Sequence, residues 1–261
     1  MTDHRNRNHQ KNNVFIRYAG LLTLLLLICC FHYAGADTTP AEYFQITDIN
    51  GSYCTISGYT GTEQDVVVPS EVLNQEDGKT YIVQSLRDNT FKNNRYIRSV
   101  ELPDSIETIG SQVFCNCQAL ERVTFGEASR LRSMGSSVFE DCPMLTDVTL
   151  SDALTVLGAS AFKNCTSLND PALGGGLKTI GAKAFMGCTM LSEITFPETL
   201  TRINTEAFNG CLSLQRIHLP DSVTTMSKGV FWNCPNLTEI NYPAGLTTIN
   251  ASNDGSAMYL D

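Results

Sequence analysis

Six cysteines recur at regular intervals, and their thiols are the side chains of this sequence best suited to chemistry: Cys117, Cys142, Cys165, Cys188, Cys211 and Cys234. A thiolate can ligate zinc, form a disulfide or act as a redox centre. One thiol per repeated unit forms a row, however, whereas a zinc site needs a tetrahedral cluster. Cysteines in register on neighbouring strands also stand farther apart than the roughly 3.5 to 4.5 Å between the Cβ atoms of a disulfide. The spacing favours small buried hydrophobic side chains, with disulfides between adjacent units and a metal site as alternatives.

Two further cysteines, Cys54 and Cys115, lie outside this row. Other units carry charged residues such as Lys92 and Glu140 at the position of Cys115, so we expect Cys115 to face solvent. Pairing of Cys54 with Cys115 in an oxidising compartment remains open, although about two units separate them. We expect these two thiols to be the ones that react in the folded protein.

Histidine chemistry is restricted because the chain has four histidines and only His218 follows position 36. A single histidine excludes a metal site built on a histidine pair and leaves one candidate base for a catalytic triad. The repeat fixes no cysteine beside His218, and no serine together with an aspartate. We therefore interpret His218 as a solvated surface residue. The sequence predicts no enzyme, no catalytic or metal-binding residues and no cofactor.

The elements that position these residues are repeats of 23 residues, with one interval of 25, marked by Phe91, Phe114, Phe139, Phe162, Phe185, Phe208 and Phe231. This period is typical of leucine-rich solenoids. Within one unit, Ile109, Val113, Phe114, Cys117 and Leu120 share one face of a short helical turn. The following Val123 and Phe125 alternate with polar residues, as in a strand with one buried face.

Turn signals separate the elements of each unit. Two residues after each phenylalanine stand types that tolerate the left-handed conformation: Asn93, Asn116, Asp141, Asn164, Gly187, Gly210 and Asn233. A single unit cannot bury its phenylalanine and leucine alone, so the units must stack and align their strands in a parallel sheet. The sequence thus predicts an α/β repeat solenoid, with a parallel β-sheet on one face and short helical turns on the other.

The units LPDSIETIGSQVFCNCQALERVTF and LPDSVTTMSKGVFWNCPNLTEINY resemble the BspA-like branch of the leucine-rich repeat proteins. On this resemblance residues 37–65 form an entry or capping segment, residues 66–250 the repeats and residues 251–261 a polar tail or partial cap. The resemblance implies an exported or surface-exposed interaction protein, often associated with adhesion, and no catalysis.

Two departures from the regular unit are expected to be local. The interval of 25 residues inserts two residues in the segment GEASR after Phe125, which predicts a bulge on the outer side. Pro171 replaces the β-branched residue expected in its strand and is followed by Gly174–Gly176, so the sheet should be weakened there.

The first 36 residues have the features of a cleaved signal peptide. Basic residues precede the apolar run Leu21–Phe31, and Ala34–Ala36 supply small residues for cleavage before Asp37. A membrane anchor is the alternative, but the run is shorter than the roughly 20 residues that cross a bilayer. Lipidation at Cys29 is a second alternative, disfavoured because isoleucine precedes that cysteine. The expected location is secreted or on the cell surface.

Charge and strand alternation together indicate the kind of partner. Removing the four basic residues and the one acidic residue of positions 1–36 changes the formal charge from -9 to -12, which disfavours nucleic acid and anionic lipid. The expected partner is a protein or glycan on another cell or in the envelope or matrix; the alternative is a structural solenoid without a ligand.

The candidate binding residues are those that strand alternation turns outward: Arg122, Thr124, Asp147, Thr149, Thr195, Arg216, His218, Glu239 and Asn241.

Overall fold

The computed structural model describes residues 39–249, which form a β-solenoid of about seven coils. One short 3-10 helix, Ala41–Tyr43, precedes the strands. The strands are β1 Phe44–Asn50, β2 Tyr53–Tyr59, β3 Asp65–Val67, β4 Glu71–Leu73, β5 Thr80–Leu86, β6 Ser99–Leu102, β7 Thr108–Ile109, β8 Arg122–Phe125, β9 Ser133–Met134, β10 Asp147–Val148, β11 Val156–Leu157, β12 Thr179–Ile180, β13 Arg202–Ile203, β14 Arg216–His218, β15 Thr225–Met226, β16 Glu239–Asn241 and β17 Thr248–Ile249. The predicted signal peptide at 1–36 and polar tail at 251–261 lie outside the described residues.

The first sheet is the parallel sheet expected from the alternating segments. It contains β3, β6, β8 and β10, and it resumes with β14 and β16. Val66, Val100, Val123 and Val148 are aligned in this sheet and buried. Around Pro171 a single bridge between Thr149 and Ala172 replaces the ladder. The expected weakening is therefore confirmed, because proline has no N–H to donate to a neighbouring strand.

A second parallel sheet, on another side of each coil, was not predicted. Its strands β7 and β9, and after a break β11, β12, β13, β15 and β17, are two residues long each. The second residues of β7, β9, β11, β12, β13 and β15, among them Ile109, Leu157 and Ile180, are buried in the core. At the N-terminal end β5 pairs in parallel with β2, and β2 forms an antiparallel hairpin with β1 that precedes the repeats. The division between entry segment and repeats at residues 65 and 66 stays a prediction.

The prediction of short helical turns is wrong, because stacked turns occupy that side of the coils within residues 39–249. The N–H groups of Gln112, Phe114 and Asn116 donate to carbonyls of the next coil, over distances of 2.9, 2.8 and 2.8 Å. In a helix they would donate to carbonyls four residues earlier. The backbone here forms a third ladder between coils.

Left-handed residues explain why no helix forms there. The row that follows the phenylalanines has positive φ as expected, from 54° at Asn233 to 79° at Gly210. A second left-handed row precedes the phenylalanines: Asn89, Gln112, Ser137, Ser160, Lys183, Glu206 and Gly229. Two such residues four positions apart are incompatible with a continuous right-handed helix.

Phenylalanine rings fill the centre of the solenoid. From Phe91 to Phe208 successive ring centroids lie 5.1 to 5.3 Å apart, with ring planes within 10° of parallel. Phe231 continues the stack at 5.6 Å with a tilt of 21° and is half-buried. Each internal ring therefore contacts a ring on both sides.

Candidate functional site

The regular cysteines form a buried row of hydrogen-bond donors. Each thiol donates to the carbonyl of the phenylalanine one coil before its own; Cys142 Sγ lies 3.0 Å from Phe114 O and Cys188 Sγ lies 3.1 Å from Phe162 O. Five of the six are fully buried and Cys234 is half-buried. All eight cysteines of residues 39–249 are free thiols, and this part of the chain holds no cluster of histidine, cysteine and carboxylate ligands suited to a metal ion.

Burial keeps the thiols of Cys117, Cys142, Cys165 and Cys188 protonated. Loss of solvent raises the pKa of Cys117 and of Cys188 to about 12, and that of Cys165 lies well above its usual value. A thiolate, not a thiol, is the nucleophile and metal ligand. The row thus acts as a set of core side chains, as the spacing predicted, whereas the hydrogen bonds to backbone carbonyls were not indicated by spacing.

The expectation that Cys115 faces solvent is wrong. Its side chain is 7% exposed, and burial raises its pKa. The charged groups of Lys92 and Glu140, at the same position of adjacent coils, lie close enough to affect that pKa. We attribute the burial to this register, which sets a short side chain between two longer ones. Cys54, on β2, is also buried.

The predicted partner-binding residues lie along one row, here called the strand row. Most are on strands β8, β10, β14 and β16 of the first sheet, whereas Thr149 is on the single bridge and Thr195 lies where no strand forms. Eight of the nine are exposed: Arg122, Thr124, Asp147, Thr149, Thr195, Arg216, His218 and Glu239. Asn241 differs, because it is half-buried and its amide group bonds both the N–H and the C=O of Leu219, at 2.6 and 2.9 Å. The backbone register fixes neighbouring members, as in the pairs Arg122 with Asp147 and Arg216 with Glu239.

Four charged side chains of the strand row have no ion-pair partner among the described residues. They are Arg122, Asp147, Arg216 and Glu239. On the other sides, ion pairs join one coil to the next, as at Lys163 with Glu140 over 2.7 Å. Others are Arg132 with Glu107, and Lys183 with Glu206 over 3.8 Å. The strand row therefore presents fixed charges that form no ion pair within the described part of the chain.

A second surface feature escaped the sequence analysis. A groove with a volume of about 360 Å³ lies between residues 59–62, at the end of β2, and residues 90–96, in the first repeat turn. Tyr59, Lys92, Arg95 and Tyr96 contribute to its walls. No short motif marks the groove, because its two walls come from segments about 30 residues apart. Within residues 39–249, no helix is long and apolar enough to cross a bilayer.

Coils that share parallel sheets, one continuous core and an exposed strand row define a leucine-rich repeat solenoid. Residues 84–178 and 171–253 match the BspA type leucine-rich repeat region in six copies. The chain therefore belongs to the BspA-type leucine-rich repeat family, as the resemblance of its units implied.

Solved structures agree with this assignment. A leucine-rich repeat protein of T. pallidum is 27% identical, with a TM-score of 0.68 over 77% of this chain and 91% of its own length. A leucine-rich repeat protein from Bacteroides ovatus is 23% identical, with a TM-score of 0.72 over 80% of this chain and 54% of its own, and shows the fold alone. No curated protein matches the chain significantly.

Proposed function

We propose that the protein is an exported, non-catalytic interaction module whose strand row binds a protein or glycan on another cell or in the surrounding envelope or matrix. The observation that carries this proposal is the set of exposed, unpaired charges along the strand row. Fixed charges on a rigid sheet attract a complementary surface and lose little conformational entropy when they bind.

The chemistry of the described residues supports a non-catalytic role. His218, the one histidine of residues 39–249, is exposed and bonds to no carboxylate, serine or cysteine side chain there. Seven of the eight thiols of residues 39–249 are buried and Cys234 is half-buried. Burial raises the pKa of Cys117, Cys165 and Cys188. A nucleophile, a base and a residue that orients the base are needed together for acyl transfer.

The test reverses charge on the strand row without altering the core. Arg122→Glu and Arg216→Glu together should lower binding of the labelled chain to intact cells or to an extracellular matrix by at least about tenfold. Charges at an interface set the association rate and the alignment of the two surfaces, and reversing them repels a complementary partner. The matched control is Lys178→Glu with Arg202→Glu. Lys178 directly precedes β12 and Arg202 lies on β13; both are exposed and make no side-chain ion pair among the described residues, and the control changes total charge equally.

The outcomes separate the alternatives. Equal melting curves for both double variants establish that folding is intact. Loss of binding in the control, with binding kept in the strand-row variant, would place the functional face on the second sheet. Failure of the unaltered chain to bind either cells or matrix would favour the structural solenoid.

A further inference from the structure

We propose that the groove between residues 59–62 and 90–96 binds a saccharide that carries a carboxylate group. This site is separate from the strand row in position. It also belongs to the first repeat alone, because later units replace Asn94 by cysteine and place Gln118 and Ala119, or Pro143 and Met144, where the first has Arg95 and Tyr96.

Two cations on the groove wall select an anionic group. Arg95 is exposed and makes no hydrogen bond or ion pair with any residue of positions 39–249, so its planar guanidinium is available to hold a carboxylate through two parallel bonds. Lys92 Nζ donates to Gln112 Oε1 over 2.9 Å, which leaves two ammonium protons for a ligand. The Glu63 carboxylate accepts from Tyr59 Oη and does not line the groove.

The remaining polar groups of the groove also offer donors. Asn94 Oδ1 accepts the N–H groups of Tyr96 and Ile97, at 2.9 and 3.0 Å, and Asn93 Oδ1 accepts from Asn116 Nδ2 at 2.8 Å. No described residue accepts a hydrogen bond from the Nδ2 group of either asparagine, so each can donate to a ligand. Donors on the protein fit a ligand rich in acceptors, which hydroxyl and carboxylate oxygens of an acidic sugar supply.

Tyrosines give the groove a flat apolar surface. The side chain of Tyr96 is 62% exposed, although tyrosine normally covers its ring when packing allows. A sugar ring can lay its C–H face against such an aromatic ring while its hydroxyls reach the asparagines. The walls at 60–62 and 90–96 are loop and turn residues, so they offer no strand edge for an extended acidic peptide.

Isothermal titration calorimetry on the full chain tests the proposal with three probes of similar size. They are tetragalacturonate, a neutral galactose tetrasaccharide, and a blocked tetra-aspartate peptide that matches the first probe in charge. We expect binding of tetragalacturonate that weakens as salt rises, and affinities at least about tenfold lower for the other two probes.

Variants locate the site. Arg95→Gln removes one charge at nearly constant size and should weaken tetragalacturonate binding by about tenfold; Tyr96→Ala should weaken it by about fivefold. Both residues are exposed, so unchanged melting curves are expected. Arg130→Gln removes one charge from the exposed outer loop and should change affinity by less than about twofold.

Several results would overturn the inference. These are the absence of tetragalacturonate binding, equal affinity for the neutral sugar or the peptide, and unchanged affinity in both groove variants. The strand-row variant Arg122→Glu with Arg216→Glu should bind tetragalacturonate nearly as well as the unaltered chain. Its loss of adhesion would therefore be distinguishable from loss of this ligand.

Discussion

Replacing Phe185 by alanine tests how the phenylalanine stack stabilises the solenoid. The ring is fully buried, with centroids 5.3 Å from Phe162 and 5.2 Å from Phe208. Removing a buried phenylalanine ring costs about 3 to 5 kcal/mol, and each aromatic contact adds about 0.5 to 1.5 kcal/mol beyond burial. We therefore expect a loss near the upper end, about 4 to 5 kcal/mol.

Phe231→Ala is the matched comparison at the end of the described stack. Phe231 is half-buried and has one stacked neighbour, Phe208, at 5.6 Å. Because Phe231 buries about half as much ring surface and has one aromatic contact, Phe231→Ala should lower the free energy of unfolding by about 2 kcal/mol. Phe185→Leu keeps most of the apolar volume and should cost less than about 2 kcal/mol.

Urea denaturation followed by circular dichroism measures both losses. With a slope of about 3 kcal/mol per molar urea, Phe185→Ala should lower the midpoint by more than about 1 M and Phe231→Ala by about half as much. Equal shifts for the two alanine variants would show that the rings do not stabilise one another along the stack.

Three further outcomes are expected. Among the eight cysteines of residues 39–249, thiol titration of the native protein should find at most one reactive group, Cys234, because the other seven are buried. Cys234→Ala should abolish that signal, and fast reaction of more of these thiols would contradict the buried row. The free energy of unfolding should fall as pH rises above about 8.5, because thiols of the unfolded chain ionise there while the pKa of folded Cys188 is about 12. Each such thiol lowers the free energy of unfolding by about 1.4 kcal/mol per pH unit. Urea titrations at pH 8 to 10 should therefore show a shallower fall for Cys188→Ala than for the unaltered chain. N-terminal sequencing of protein from its own cells should begin at Asp37, a position outside the described residues, and a sequence that starts at Met1 would favour the membrane anchor.

The repeat and its core could be predicted because they depend on spacing. Phenylalanine, cysteine and leucine recur at fixed positions, and the asparagines and glycines after each phenylalanine are types that adopt positive φ. The helical turns were predicted wrongly because buried residues at steps of three and four suit both a helix and a tight series of turns. The residues that decide between them, among them Gln112, Lys183 and Glu206, are left-handed but are not types associated with that conformation.

Other features depend on contacts between coils. The second sheet has strands of two residues, too short to show alternation, as at Thr108–Ile109. Burial of Cys115 follows from the length of side chains one unit away, and the groove at Arg95 and Tyr96 needs the entry hairpin beside the first turn. For the strand row, alternation predicted exposure correctly at eight positions, whereas the amide bonds of Asn241 to Leu219 could not be read from one strand.

The three ladders between coils also determine how the chain would respond to a pulling force. Because each coil bonds mainly to its two neighbours, tension would detach coils one at a time, and each released unit of 23 residues would add about 80 Å of extended chain. Among the described coils, the first sheet is interrupted between β10 and β14, where the bridge of Thr149 with Ala172 is its one pairing, so we expect the first break in this region. A tether of this kind lengthens stepwise under load while the coils on either side of the break stay folded.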